Sequence, residues 1–265
     1  MTTLVLAATG KTGRRVTSLL GPIARGVSRR SAIPFDWNDP NTWAAAVEGA
    51  DAAYVVPPIE SLDYSAVPEF VDLAKRSGVR NFVLLSARGM DLTMPHEAAV
   101  SGSGVDWTIL RPAWFAQNFS EDMMLPAVLA GEVALPTGDG RHAFIDVDDI
   151  AEVAVAALTG AGSHAGQVYE LTGPEAITFG EAVALIAAAS GREIKYVDVP
   201  PESFRAELVG HGMNPEYADL LTTLLTAIRN GQDAEVADGV QRALGRTPRT
   251  FTTYAQTTAT TPAWS

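Results

Sequence analysis

The chain contains no cysteine. That absence removes disulfides, thiolate nucleophiles and thiolate metal ligands together. Histidine is scarce too: His96, His142, His164 and His211 are scattered. None has a partner at the short spacing of a zinc pair, so no metal site is expected. Lysine is limited to Lys11, Lys75 and Lys195. Lys and Arg number 19 against 31 Asp and Glu, which leaves a net charge of −12. Such a surface repels phosphate backbones, so nucleic-acid binding by the chain alone is not expected. No apolar run reaches the roughly 18 residues of a membrane span. The N-terminus enters a strand-like run, Leu4 to Ala8, without a basic start and apolar signal core. The expectation is a cytoplasmic chain, off the membrane, with a small-molecule substrate, acting as a monomer or homodimer.

What is present is a core. Of 265 residues, 47% are hydrophobic, enough to bury a continuous interior. Strand-like runs (3–8, 25–28, 33–36, 52–56, 80–86, 107–110, 168–171) alternate with helix-like ones (12–20, 42–48, 68–77, 95–101, 150–158). That alternation predicts an α/β fold with a doubly wound parallel sheet of Rossmann type and right-handed crossovers. The later chain differs. Phe179–Ala189 is a predicted helix behind a capping box, Thr178 with Glu181, and Lys195–Val199 is one further strand. Beyond Pro201 only helices are expected, at 203–209, 215–230 and 236–244, and the threonine-rich 251–264 carries a weak pattern. The implied organisation is a nucleotide-binding domain over 1–172, with an excursion near 120–142 toward the substrate side, and a smaller, mainly helical substrate subdomain over 173–265.

The segment from Leu4 to Val16 is the most informative. It sets Ala7, Gly10 and Gly13 three residues apart between a strand and a helix. Glycines there admit close approach of backbone N–H groups to a pyrophosphate, and the helix N-terminus favours the negative charge. The alternative is an ordinary strand–turn–helix with two glycines. Alanine at position 7 fits if its φ is negative. The second strand ends Gly26-Val27-Ser28-Arg29-Arg30-Ser31, without the acidic residue that binds a ribose 2′-hydroxyl. Guanidinium groups bind phosphate oxygens bidentately, so the run favours NADP over NAD. The alternative is a solvated basic turn.

Several segments in this order resemble the NmrA-like branch of the atypical short-chain dehydrogenases: Ala8–Arg15, Phe82–Ala87, Gly104–Phe119 and Phe144–Ala151. With Phe35–Trp37, Tyr54–Pro58, Gly212–Glu216 and Pro248–Phe251, the chain is similar to the festuclavine dehydrogenase group of ergot alkaloid biosynthesis and its bacterial relatives. The resemblance implies an NADP (NADPH) site. Gly10, Lys11, Thr12 and Gly13 would surround the pyrophosphate, and Ser28 and Arg29 the 2′-phosphate. Asp36 and Trp37 would lie near the adenine, Val56, Pro57 and Pro58 along a ribose, and Ser86, Ala87 and Pro112 near the nicotinamide. Trp114, Phe115, Asn118 and Phe119 would contact substrate. The prolines equally stop a strand, the aromatic residues equally pack a core, and Asn118 equally braces a loop.

Ordinary short-chain dehydrogenases use Tyr and Lys four residues apart, the lysine lowering the tyrosine pKa. No lysine here stands four residues after a tyrosine. Counting back from Glu97 by the family spacing puts Gly89 and Thr93 at those two places. Reduction of a ketone creates an alkoxide that needs a proton at once, whereas an iminium ion takes hydride to give a neutral amine. A conjugated acceptor is intermediate. The expectation is a reductase of imines or iminium ions, or of conjugated carbonyls and quinones, in secondary metabolism. Ser86, His96 and His142 are the nameable proton donors, with Ser86 and His96 the catalytic candidates. Glu97, Asp146 and Asp148 are candidates to stabilise a cation, although the two aspartates equally cap a helix. Two other readings fit the same absence: a non-catalytic NADP sensor of the NmrA type, and a non-redox enzyme that retains the fold.

Overall fold

The computed structural model describes residues 1–58, 65–89 and 93–265. Its strands are β1 (Thr3–Val5), β2 (Ala24–Gly26), β3 (Ala52–Val55), β4 (Asn81–Leu85), β5 (Asp106–Pro112), β6 (Glu132–Leu135), β7 (Arg141–His142), β8 (Gln167–Leu171), β9 (Ile177–Thr178) and β10 (Lys195–Asp198). Its helices are α1 (Lys11–Leu20), α2 (Trp43–Val47), α3 (Ala66–Arg76), α4 (Met94–Ser101), α5 (Asn118–Glu121), α6 (Leu125–Ala130), α7 (Val147–Thr159), α8 (Phe179–Ser190), α9 (Pro201–Gly210), α10 (Pro215–Arg229), α11 (Gly239–Leu244) and α12 (Phe251–Ala259). None of them is long and apolar enough to cross a membrane, among the described residues.

The chain forms two compact units. The first comprises Met1–Pro112, Val147–Leu171 and Asp238–Thr247. Its six-stranded sheet is parallel throughout, in the order β2-β1-β3-β4-β5-β8. Runs such as Phe82–Leu85 are fully apolar because a parallel sheet covered by helices is buried on both faces. The register aligns Val5 with Gly26 and Tyr54, Leu85 with Leu110, and Pro112 with Leu171. The loops that follow these strands therefore start along one edge. The strand order reverses at β1, and the carboxyl edge at such a switch point is where ligands bind in open α/β sheets.

The strand expected over 33–36 is reduced to two isolated bridges, Pro34 parallel to Ser28 and Asp36 antiparallel to Asp39. Proline cannot donate to a ladder, and the residues after it are drawn into an aromatic cluster. Phe35, Trp37, Trp43 and Phe70 meet mostly edge to face, with centroids 5.0–6.3 Å apart.

The second unit comprises Ala113–Asp146, Thr172–Ala237 and Pro248–Ser265. It carries two small sheets, β6 parallel to β10 and β7 antiparallel to β9. Its core centres on Phe119, Phe144, Phe179 and Phe251. The capping box of α8 is present, with Thr178 accepting from the Glu181 amide and Glu181 from the Thr178 amide. The threonine-rich run is ordered as α12, with Thr250 accepting from the Thr253 amide at its start. Threonine lowers helix propensity, yet burial of Phe251, Tyr254 and Ala255 outweighs that cost.

Candidate functional site

The loop after β1 is pinned on both sides. The Leu6 amide donates to the Tyr54 carbonyl at 3.1 Å, and the Ala8 amide to the Val27 carbonyl at 3.0 Å. The chain then turns sharply, with the Gly10 amide donating to the Ala7 carbonyl at 2.8 Å. Ala7 holds φ +50°. This corrects the expectation of a negative φ there: the alanine occupies the left-handed region, at a cost of roughly 1–2 kcal/mol relative to an ordinary conformation. Gly10 caps α1 without any side-chain hydrogen bond, and the first turn carries no acidic residue. Its first N–H groups lack intrahelical acceptors, so an anion is the fitting partner. Gly13 also has a packing role. It is buried, and a β-carbon on it would lie 2.2 Å from the Ala7 carbonyl oxygen. Its missing side chain lets the start of α1 rest on the loop.

The end of β2 suits a phosphate. Ser28 and Ser31 fold the turn, the Ser31 hydroxyl donating to the Ser28 carbonyl at 2.9 Å. Arg29 and Arg30 are exposed, and neither guanidinium is held by another group among the described residues. Asp36 shapes its own turn, accepting from the Asn38 amide at 3.0 Å. Trp37 donates from its indole to the Val56 carbonyl at 3.0 Å, which ties this loop to the end of β3. Trp37, Trp43 and Pro58 with Ser65 and Glu69 line a cleft of about 190 Å³. An uncapped helix start, a closely packed glycine, two exposed guanidiniums and an aromatic-lined cleft thus lie on this one unit.

Beyond β4 stands a partly buried charge network. The Ser86 amide donates to the Leu110 carbonyl at 2.7 Å, and its hydroxyl donates to Glu97 Oε1 at 2.5 Å. Arg111 grips the same carboxylate in a fork, Nε to Oε1 at 2.9 Å and Nη2 to Oε2 at 2.6 Å, and reaches Glu170 at 3.1 Å. Arg88 approaches Glu170 from its other oxygen at 3.4 Å. Burial raises the Glu97 carboxyl, but hydrogen bonds from Arg111 and Ser86 and the Arg111 charge outweigh it and hold the pKa below the ordinary carboxylate value. Glu97 is thus no counter-ion for a cationic substrate. Asp148 is likewise bound by Arg15 at 2.5 Å, and Asp146 accepts from Gln117 at 2.8 Å. Each of the three acids thus has a hydrogen-bonding partner in the structure.

His96 lies buried in the first turn of α4. Burial lowers its pKa, against a smaller opposing pull from the Glu97 charge, so its neutral form dominates near neutral pH. Gly89 is exposed with φ +68°, and Thr93 leads into α4. The two places counted back from Glu97 therefore hold no side chain and a threonine.

In the second unit, the segment after Pro112 is bridged to 145: Ile145 donates to the Trp114 carbonyl at 3.0 Å and receives from the Ala116 amide at 2.9 Å. Trp114, Phe115 and Asn118 are half-buried. Phe119 is fully buried among three other phenylalanine rings, which corrects its assignment as a substrate contact. His142 is fully buried. Its Nε2 accepts from the Trp114 amide at 3.0 Å, and its Nδ1 faces Asp233 at 3.7 Å. In the neutral ring an accepting Nε2 leaves the proton on Nδ1, the nitrogen that faces Asp233.

Sequence reasoning missed Arg111 with Glu170, and His142 with Trp114 and Asp233. Arg111 stood in a family segment, but nothing local linked it to Glu170, 59 residues away.

The fold and the loop define a Rossmann-type nucleotide-binding protein. Residues 7–161 match the NAD(P)H-binding family, and the chain belongs to it. It is 34% identical to an NAD(P)H azoreductase of Xenophilus azovorans, covering 88% of this chain and 83% of the relative. It is 30% identical to festuclavine dehydrogenase of Aspergillus fumigatus, covering 97% of each. Its branch of the family is thus one of NAD(P)H-dependent oxidoreductases. The fold is also that of an NADPH-dependent quinone oxidoreductase of Escherichia coli complexed with NADPH, with a TM-score of 0.81, 22% identity and coverage of 97% and 99%. The NmrA negative transcriptional regulator shares it too, with a TM-score of 0.72 at 18% identity over 96% and 94%.

Proposed function

We propose that the chain is an NADPH-dependent reductase that passes hydride to a small organic acceptor, an imine or iminium ion or a conjugated carbonyl or quinone, without a tyrosine–lysine proton relay. Gly10, Lys11, Thr12 and Gly13 form the pyrophosphate loop, and Ser28 and Arg29 receive the 2′-phosphate. Asp36, Trp37, Val56, Pro57 and Pro58 flank the adenosine, and Ser86, Ala87 and Pro112 border the nicotinamide. Trp114, Phe115 and Asn118 contact the acceptor. NADPH, when bound, supplies the hydride, and the protein supplies orientation and shielding.

The observation that carries this reading is the state of the groups beside β4. The Ser86 hydroxyl donates its hydrogen bond to Glu97, Arg111 pairs with the Glu97 carboxylate, and the Tyr and Lys places hold Gly89 and Thr93. That arrangement suits an acceptor whose reduced form needs no proton from the protein at the moment of transfer. Preference for NADPH is supported by the exposed Arg29 and by the lack of an acidic residue at the end of β2.

The test is single-turnover oxidation of NADPH, and of NADPH deuterated at the transferred position, with 1,4-benzoquinone and with a cyclic iminium salt. A deuterium isotope effect on cofactor oxidation with either acceptor supports the reading. Tight NADPH binding with no oxidation by any acceptor of either class would instead make the chain a cofactor sensor.

A further inference from the structure

The helix α5 is a single turn of four residues. A turn that short does not hold itself in water. It is nevertheless joined to the aromatic pair before it: the Asn118 amide donates to the Phe115 carbonyl and the Phe119 amide to the Ala116 carbonyl, both at 3.1 Å. Whatever fixes α5 therefore fixes Phe115 and Asn118.

Two buried hydrogen bonds do so, and both come from the far end of the sequence. The Trp264 indole N–H donates to the Phe119 carbonyl at 2.9 Å across 145 residues. The Tyr254 hydroxyl donates to Ser120 Oγ at 2.8 Å across 134 residues. Tyr254 and Trp264 are each nearly fully buried and meet edge to face at 6.0 Å. The Trp264 carbonyl is itself held by Arg192 at 3.3 Å. Burial raises the Tyr254 pKa, so the phenol stays protonated and remains a donor. Successive residues of one turn are thus gripped at a main-chain carbonyl and at a side-chain hydroxyl. Two point attachments on a four-residue turn fix its rotation as well as its place.

We infer that Tyr254 and Trp264 are positioning residues for the acceptor site, holding α5 and through it Phe115 and Asn118 in the geometry that recognises substrate. The inference rests on the proposed role of Phe115 and Asn118. Neither Tyr254 nor Trp264 is available to touch a ligand itself, because both rings are closed within the core. Their effect is on where the recognising side chains stand.

Trp264→Phe keeps an aromatic ring and removes the N–H, and Tyr254→Phe removes only the hydroxyl. Loss of one buried hydrogen bond should raise amide exchange over residues 118–121 by about tenfold. Misplacement of the recognising side chains should raise KM for 1,4-benzoquinone by about the same factor. The Kd for NADPH and amide exchange in β1–β5 should stay as in the wild type. An unchanged KM in both variants, or a loss of NADPH affinity and thermal stability in step with KM, would overturn the inference and leave a purely structural contact. If the wild-type chain oxidises NADPH with no acceptor, the proposed function fails by itself. The clamp is then judged on exchange alone: a rise confined to 114–121 supports it, and unchanged exchange there removes it.

Discussion

A β-carbon on Gly13 would stand 2.2 Å from the carbonyl oxygen of Ala7 and 3.0 Å from that of Leu6. The obstacle is main chain on a pinned loop, so it cannot swing aside. From sequence, Gly13→Val is expected to block cofactor while sparing the fold. The packing says otherwise. The variant should lose about 2–3 kcal/mol or more of stability, seen as a fall in Tm of about 5–10 °C, besides losing NADPH binding. A variant with wild-type Tm and no cofactor affinity would show that Gly13 lines the ligand and nothing else.

Ala7 pays for the same close packing with its left-handed backbone. Glycine adopts that conformation freely but loses more entropy on folding. The balance favours Ala7→Gly by up to about 1 kcal/mol. A Tm rise of up to about 4 °C is expected by calorimetry. A fall in Tm would mean that the loop is not held at positive φ.

Arg29 tests cofactor choice. Its exposed guanidinium is the best-placed charge for a 2′-phosphate, so NADPH should bind more tightly than NADH. Arg29→Ala should erase most of that difference, about 1–3 kcal/mol for a charge-assisted contact. Titration calorimetry with both cofactors reads it directly, and equal affinities in the native chain would reject the assignment.

The Ser86–Glu97–Arg111 network has a pH signature. The folded pKa of Glu97 lies below its ordinary value. Its contribution to stability is therefore complete above the unfolded value of about 4.3 and is lost as pH falls through the folded pKa. Against Glu97→Gln, the wild type should keep a steady stability advantage from about pH 7 down to about pH 5, narrowing only in more acid solution. Denaturant unfolding at each pH checks this. An advantage that shrinks as pH rises would reverse the sign.

The chemistry predicts unequal sensitivities. With a preformed iminium substrate, His96→Gln and Ser86→Ala should slow hydride transfer by far less than the roughly 10²–10⁴-fold of a true general acid. Trp114→Ala should slow it more, by loosening placement of the acceptor. Single-turnover rates decide the order. Collapse of the rate in the His96 variant, with NADPH binding intact, would restore ordinary acid catalysis.

Local pattern was enough for the parallel sheet of the first unit, apart from the strand expected over 33–36. Alternating strand and helix runs, apolar stretches such as Phe82–Leu85, and glycines at a strand–helix junction each act over a few residues, and the sheet follows from them. The same local logic found the cap at Thr178. It failed where a role depends on a distant partner. Phe119 and Trp114 lie five residues apart in one aromatic segment, yet one is fully buried in the core and the other half-buried. Glu97 is a free acid on paper and a neutralised one once Arg111 arrives from β5. Trp264 gives no sign of gripping Phe119, 145 residues earlier. Composition and periodicity report which residues want to leave water. Which buried donor meets which acceptor is decided only when the chain has closed, because a hydrogen bond requires an alignment to a few tenths of an ångström that spacing along the chain does not encode.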